Sequence, residues 1–392
     1  MQTILTVNGG SSSLKCSLFH LQGGELKLLY NFKLGNILGE ARFKAVDTAG
    51  NLLQDNNPDY TRIPKEQRHQ ACLETIQQWL ADHLPDNNLC AIGHRVVHGG
   101  ARFSQPVLID DNIIEQLQEF IPLAPLHQPY NLKLIAACRN LAPQLPQIAC
   151  FDTMFHAQQP KIEQNYALPR KLTDEGVHRY GFHGLSYEFI QRQLDKLENR
   201  SLNTVICHLG AGASMCAVKN GKSIASSMGF TAVDGLPMGS RCGNIDPGVL
   251  LYLQRHYDMD ADALETLIYK QSGWLGVSGI SSDMLELHRA DQPEAEEAID
   301  MFCYRAALEI GRLAAALQGL EQLVFTGGVG ENDADIRGRI LQRCEWLGLS
   351  FDKQANLNAN SVISTATSNV CVRVIPTNEE EMIATHVLEL TA

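Results

Sequence analysis

Short apolar runs on either side of a polar, small-residue turn occur twice along the chain, in the same order. The first set reads TILTV, NGGSSS, LKCSLF over residues 3–19, and the second reads TVICHL, GAGAS, MCAV over residues 204–218. Each is followed by a hairpin-type turn, QGGE at 22–25 and KNGK at 219–222, and then by another strand-like run. Runs of this length predict strands, and the Gly- and Asn-bearing dipeptides predict tight reversals. Between and after the two sets the period lengthens. A helix is expected over 66–83, a strand over 91–100, a helix over 131–141, and a strand QIACF that ends at Asp152. The clearest helix is 297–318, where Ile299, Phe302, Cys303, Ala306, Ile310, Leu313, Ala314 and Leu317 form one stripe before a stop at Gly319. The strand QLVFT (322–326), the glycine-rich turn GGVGEN and a helix from about Asp333 follow. The last segment reads as a helix opened by a capping box of Thr377 and Glu380. Strands alternating with long helices predict an α/β architecture in two similar halves. The boundary is set at residue 151, which gives one domain over 1–151 and a second over 152–379. Residues 380–392 return to the first.

Composition narrows this. The 392 residues fit about two domains; 44% are hydrophobic and 19% charged, as in a globular protein with a sizeable core. A net charge of −12 argues against a broad nucleic-acid surface, so an anionic substrate needs a local basic pocket. Eleven cysteines without a CxxC pair read as free thiols in a reducing compartment. No signal-like segment opens the chain and no apolar run has membrane-spanning length, so the expected location is the cytoplasm, away from membranes.

The candidate chemistry gathers at the turns. Glycine- and serine-rich turns expose several backbone N–H groups, and small residues let an anion approach them. Two such turns suit a polyphosphate, although each is also an ordinary hairpin when taken alone. The third turn, in FTGGVGEN (325–332), lies between a strand and a helix and suits a phosphate or a ribose. Arg95 in GHRVVHGG and Arg241 in MGSRCGNIDPG sit among glycines, and guanidinium forks match carboxylate and phosphoryl oxygens. His183 reads as a substrate-pocket donor, whereas His94, His98, His156 and His208 read as satisfied core or supporting residues. Histidine spacings are not those of a zinc site. Asp152, at a strand end, is placed to hold Mg²⁺ or to orient a nucleophile. Glu380 has a role in the capping box, which makes Glu379 the better metal candidate of the two, with both left open.

Nine segments in order resemble the acetokinase family, within the sugar-kinase/Hsp70/actin superfamily: VNGGSSSLK, GHRVVHGG, APLHQP, FDTMFH, RYGFHG, VICHLGAGAS, GLPMGSRCGNIDPG, FTGGVGEN and IPTNEE. The resemblance covers essentially the whole chain. It implies two actin-like (ribonuclease H-like) domains closing over a central cleft, usually as a homodimer. It also implies reversible, direct in-line phosphoryl transfer between ATP and acetate or another short carboxylic acid, in service of acetyl-CoA biosynthesis. Mg²⁺ is the implied metal, with Mn²⁺ as an alternative. Carried over, Arg95 and Arg241 bind the carboxylate and the moving phosphoryl group. His183 stabilises the transition state with support from His127, and Asp152 positions Arg95 or the metal site. Val97, Leu126 and Phe182 line the alkyl pocket. Lys15, His208, Gly210, Gly212, Asp283, Gly327, Gly328, Gly330 and Asn332 serve the nucleotide, and Asn8 and Glu379 the metal.

Several positions depart from the family pattern. Ala211 stands where Asn is usual, Ala232 for Pro, and Ser240, Cys242 and Asn244 for Thr, Ser and Asp. Leu285 stands for a common Arg, and Tyr187 takes a His position in HGLSY. These changes keep open a propionate or butyrate kinase, a pyrophosphate-dependent relative, and a paralogue with little turnover. An ATP-driven switch protein is the alternative from another class. The pairing of Arg95 and Arg241 with His183 favours the enzyme.

Overall fold

The computed structural model describes every residue except Ser11, Asn199 and Ala392. Ser11 belongs to the first expected turn, so that part of the turn lies outside the described residues. The chain divides into two compact units, Met1–Met154 with Asn378–Ala392, and Phe155–Thr377.

Among the described residues, the first unit carries an eight-stranded sheet. Its strands are β1 (Gln2–Gly9), β2 (Leu14–Gln22), β3 (Glu25–Gly35), β4 (Arg42–Asp47), β5 (Leu52–Asn56), β6 (Asn88–Val96), β7 (Val107–Leu108) and β8 (Gln147–Phe151), in the order β5-β4-β3-β2-β1-β6-β8-β7. Strands β1 to β5 form an antiparallel meander, and β1, β6 and β8 run parallel. The second unit carries β9 (Thr204–His208), β10 (Ser214–Lys219), β11 (Lys222–Ser226), β12 (Gln322–Thr326) and β13 (Cys371–Val374), in the order β11-β10-β9-β12-β13. Strands β9 to β11 are antiparallel, and β9, β12 and β13 parallel. The repeat in the sequence is therefore a repeat in topology. The order β3-β2-β1-β6-β8 in one unit matches β11-β10-β9-β12-β13 in the other. The short hairpin links allow antiparallel neighbours, and the long helical connections allow parallel ones.

The cores follow from the apolar runs. In the first unit Leu18, Phe32, Leu34 and Phe43 pack with Ile76 and Trp79 of the helix Arg68–His83 and with Leu134 and Cys138 of the helix Gln128–Leu141. The indole of Trp79 meets Phe32 edge-on at 5.0 Å. In the second unit the helix Pro293–Leu317 buries its predicted stripe, and Phe302 meets the Trp274 ring at 5.1 Å. All eleven cysteines are free thiols, and burial pushes Cys138 and Cys216 up to about 12. No helix among the described residues is long and apolar enough to cross a membrane.

Four local expectations are corrected. The strand expected over 91–100 ends at Val96. Beyond it, Val97 N–H donates to Asn131 Oδ1, His98 N–H to Gln128 Oε1 and Gly99 N–H to Thr153 Oγ1, so side chains replace the ladder. The GGVGEN segment is not an open turn but a short helix, Gly327–Asn332. The long helix turns one residue before Gly319, because Gln318 takes the left-handed conformation (φ 60°). The last helix, Glu379–Thr391, is capped by Asn378 and Glu381 rather than by Thr377 and Glu380. Asn378 Oδ1 accepts from Glu381 N–H at 3.0 Å, and Asn378 Nδ2 donates to Glu381 Oε2 at 3.0 Å.

Candidate active site

In the first unit three parallel strands finish side by side and deliver polar residues to one edge of the sheet. Asn8 is the penultimate residue of β1, Arg95 is the penultimate residue of β6, and Asp152 directly follows β8. The carboxyl ends of parallel strands are where such sheets place functional groups. Arg95 grips Asp152 with two edges of its guanidinium, Nε to Oδ1 at 2.9 Å and Nη2 to Oδ2 at 2.6 Å. Its Nη1 donates to Asn8 Oδ1 at 3.1 Å, and Asn8 Nδ2 donates to Glu380 Oε1 at 3.1 Å. Glu379 Oε2 lies 4.0 Å from Arg95 Nε. Burial works against the Arg95 charge, but Asp152, then Glu379, outweigh it and hold the guanidinium above its ordinary pKa. Arg95 is therefore a fixed cation framed by carboxylates.

The last helix brings both of its first two glutamates into this group. Because Glu381 is the capping partner, Glu380 is not taken up as the sequence suggested. Asn8, Asp152, Glu379 and Glu380 offer hard oxygen donors, the set Mg²⁺ prefers. No cluster of three or more His, Cys, Asp or Glu groups among the described residues could hold a metal unaided.

Other residues of this unit stand close by in the fold. Lys15 is exposed on β2 and pairs across the ladder with Asn8. Val97 is buried at the first position beyond β6. Leu126 and His127 are half-buried and lead into the helix Gln128–Leu141. Gln128 and Asn131 on that helix hold the backbone of His98 and Val97, and Asn131 Nδ2 reaches Gly9 O at 3.4 Å. Sequence reasoning missed these two buried amides. A polar residue one turn into an amphipathic helix, on its apolar side, was the available signal. His94 is buried against Gln147 Oε1 at 2.8 Å, and burial lowers its pKa to about 4.

The second unit assembles a different group. His183 precedes the helix Gly184–Leu197 in a left-handed conformation (φ 57°), which a non-glycine residue adopts only when its surroundings enforce it. Its Nδ1 lies 2.8 Å from Ser214 Oγ, and its ring stacks on His208 at 4.3 Å. The GAGAS turn passes beneath it. A Cβ at Gly212 would stand 3.6 Å from His183 Nε2 and 3.9 Å from Arg241 Nη1, so these two groups converge over a bare glycine. Arg241 Nη1 is anchored on Ala232 O at 3.0 Å, and Gly239 N–H ties this loop to Ala211 O at 3.1 Å. Phe182 is buried and belongs to this unit; its carbonyl accepts from His156 Nε2 at 2.9 Å. Burial lowers the His156 pKa to about 4.

The glycine helix Gly327–Asn332 lies against the same turn. Gly327 has φ +79°, and a Cβ there would stand 2.8 Å from Leu209 O, so only glycine fits. Val329 and Gly330 N–H both donate to Leu209 O, and Gly327 N–H donates to Glu331 Oε1 at 2.8 Å. Three donors at this end are thus already engaged, which favours a ribose or base over a phosphate here. Asn332 folds back onto Gly328 O at 2.9 Å. Arg337 is fully buried and donates to Gly330 O, Glu331 O and Asn356. Asp283 caps the helix Met284–Arg289 by accepting from Leu285 N–H at 2.8 Å.

Residues 3–385 match the model of the Acetokinase family. The chain belongs to the acetokinase family. An acetate kinase of Rhodopseudomonas palustris is 47% identical over 394 residues, covering 99% of this chain and 98% of its own. One from Rickettsia akari is 43% identical, covering 98% of each. The solved acetate kinase of Porphyromonas gingivalis superposes with a TM-score of 0.89 at 36% identity, covering all of both chains. A propionate kinase from Francisella tularensis superposes at 0.90, also at 36% identity, covering 98% of this chain and 99% of its own. The acetokinase family thus accounts for the repeated α/β topology as two actin-like domains.

Proposed function

We infer that the chain is a carboxylate kinase acting on acetate, which transfers the terminal phosphoryl group of ATP reversibly to give acetyl phosphate and ADP. The observation that carries this is the convergence of His183 Nε2 and Arg241 Nη1 over Gly212, beside a glycine helix suited to a nucleoside. Family membership and the named relatives support the same reaction.

Acetate is ionised at neutral pH, since carboxyl groups titrate near pH 4, so no general base is needed. A carboxylate oxygen attacks the γ-phosphorus, the bond to the bridging oxygen breaks, and ADP leaves with the electron pair. What the protein must supply is alignment and relief of repulsion between two anions. Arg95 and Arg241 provide fixed positive charge to the carboxylate and the moving phosphoryl group, and His183 donates to its equatorial oxygens. Preorganised donors of this kind are each worth about 3 kcal/mol of barrier. Asp152 keeps Arg95 in place. Val97, Leu126 and Phe182 are assigned to the alkyl group, and His127 to the support of His183. Lys15, His208, Gly210, Gly212, Asp283, Gly327, Gly328, Gly330 and Asn332 serve the nucleotide. Glu379 and Asn8, with Glu380 beside them, would hold Mg²⁺, or Mn²⁺ in its place, which would neutralise phosphate charge.

The two actin-like domains of this reading are 1–151 with 380–392, and 152–379. The working form is a homodimer. Its support is the pair of helices Pro247–His256 and Ala261–Lys270, which bury none of their residues within one chain and leave Val249, Leu251 and Tyr252 exposed. A cytoplasmic location and a supply of activated acetyl groups for acetyl-CoA formation complete the reading. The free thiols are in keeping with the first.

The test is acyl-phosphate formation trapped as hydroxamate, with acetate, propionate and butyrate, each with Mg-ATP and with Mg-pyrophosphate. Acetyl hydroxamate with ATP is expected to dominate. No product with either donor would overturn the assignment. Glu379→Gln and Glu380→Gln, titrated with Mg²⁺, separate the two carboxylates.

A further inference from the structure

The stacked imidazoles of the second unit are each held at Nδ1 by a serine. His183 lies 2.8 Å from Ser214 Oγ, and His208 lies 2.8 Å from Ser186 Oγ. Ser214 has a further partner, the phenol of Tyr187, which comes from the helix that His183 opens. Tyr187 and Ser214 are both fully buried. Each carries a single hydroxyl hydrogen, and this decides the direction of the chain.

Burial pushes the Tyr187 phenol well above its ordinary pKa, so it keeps its hydrogen at neutral pH. Its partner is Ser214 Oγ, in a bond that either hydroxyl could donate; with its hydrogen retained and Ser214 Oγ within reach, the phenol is assigned as the donor. Ser214 then has its own hydrogen to place, and the acceptor on its other side is His183 Nδ1. If Nδ1 carried the imidazole proton, Ser214 would accept from both sides and its hydrogen would be stranded in a closed interior. Buried donors are rarely left so, because an unmet donor costs more than a made bond gains. Which ring nitrogen of a histidine bears the proton is set by the bond the other one makes.

We propose that Tyr187 and Ser214 form a directed hydroxyl chain that fixes His183 as the tautomer with its proton on Nε2, and that both are positioning residues for phosphoryl transfer, a role that rests on the reading of His183 given above. Nε2 is the nitrogen over Gly212, beside Arg241 Nη1. The chain therefore aims an N–H, not a lone pair, at the place where phosphoryl oxygens are expected. Neither residue needs to touch substrate. Tyr187 stands where the family pattern has a histidine, so the group behind Ser214 here is a phenol rather than an imidazole.

The test reads the tautomer directly. Histidine-selective ¹⁵N labelling is applied to the full protein, with His183→Gln to assign the signals. Wild type is expected to show His183 Nδ1 as an acceptor and Nε2 as N–H. Ser214→Ala is expected to give a mixture of tautomers. Its kcat should fall about 10²-fold, the scale for one preorganised donor, with KM for acetate and ATP within about threefold. Tyr187→Phe keeps the ring packing and should give a smaller tautomer shift with kcat about 10-fold lower. A wild-type His183 protonated on Nδ1, or a tautomer unchanged in Ser214→Ala, would overturn the proposal. The tautomer readout needs no turnover. A protein that makes no acyl phosphate yet loses its Nε2 tautomer in Ser214→Ala would uphold the hydroxyl chain and overturn its catalytic role.

Discussion

Replacing Asp152 by Asn keeps the shape of the side chain and removes its charge. Arg95 now makes two charge-assisted bonds to the carboxylate, through Nε and Nη2. Such bonds contribute about 1.5–3 kcal/mol each, against about 1 kcal/mol for a neutral one. Asn can accept only one of them, and its amide NH₂ then faces a guanidinium N–H. The pair is buried on the Asp152 side, with side-chain exposures of 2% for Asp152 and 23% for Arg95, so water compensates poorly. A net loss of about 3 kcal/mol follows, at the lower end of the cost of breaking a buried pair. At 1.36 kcal/mol per tenfold, that is about a 10²-fold change in local opening. Hydrogen exchange read by mass spectrometry should show peptides from β6 and β8 exchanging about 10²-fold faster, with β9 and β12 unchanged. The freed guanidinium will lean toward Glu379, which lies 4.0 Å from its Nε, and kcat should fall by about 10²–10³. Exchange within about threefold of wild type, together with near-normal turnover, would refute the role given to this pair.

Arg241→Ala should keep the circular dichroism spectrum and lower kcat at least about 10²-fold; near-normal turnover would remove Arg241 from the reaction. His94 and His156 are held neutral, with pKa lowered by burial from 6.5 to about 4, so the unfolded chain binds more protons between those values. Stability should therefore be lost as pH falls from about 6.5 to about 4, by about 2 kcal/mol per histidine at pH 5, and denaturant midpoints at pH 7 and pH 5 test this. Asn378→Ala removes the cap of the last helix and should cost about 1 kcal/mol, with a higher Mg²⁺ requirement in the hydroxamate assay. Arg337→Lys cannot serve the Gly330, Glu331 and Asn356 acceptors together, and should raise the KM for ATP about 10-fold while leaving that for acetate alone.

Much of the fold was legible because its cause is local. Alternation in the two turn-bearing sets, the stripe from Ile299 to Leu317 and the strand endings at Asp152 and Thr326 depend on residues near one another in the chain. Sequence reading misplaced features that depend on distant partners. The strand after Val96 stops because Asn131, Gln128 and Thr153 take its N–H groups, and nothing within 91–100 announces them. The cap of the last helix was shifted by one because Thr377 and Asn378 are both good cap residues. The structure spends Thr377 on Ser186 Oγ and Glu331 instead. Of the candidate site, the motif glycines, the arginines and His183 could be named from the sequence as candidates. The supporting groups Ser214, Tyr187, Glu331 and Arg337 could not, since a hydroxyl, a carboxylate or a cation inside a motif gives no sign of the side chain it will meet.

The last helix has a consequence for the order in which a ribosome makes this protein. Ile383 and Val387 press so closely on Gly93 that a Cβ there would stand 2.5 and 2.7 Å from their methyl groups. The same helix brings Glu379 and Glu380 to Arg95 and Asn8. The first unit to emerge during synthesis is therefore the last to be finished. Its sheet waits, with one face open at Gly93 and Arg95 lacking two of its carboxylate neighbours, until the second unit has been translated. A chain released before this helix has been made lacks both the cover over Gly93 and the two carboxylates beside Arg95 and Asn8.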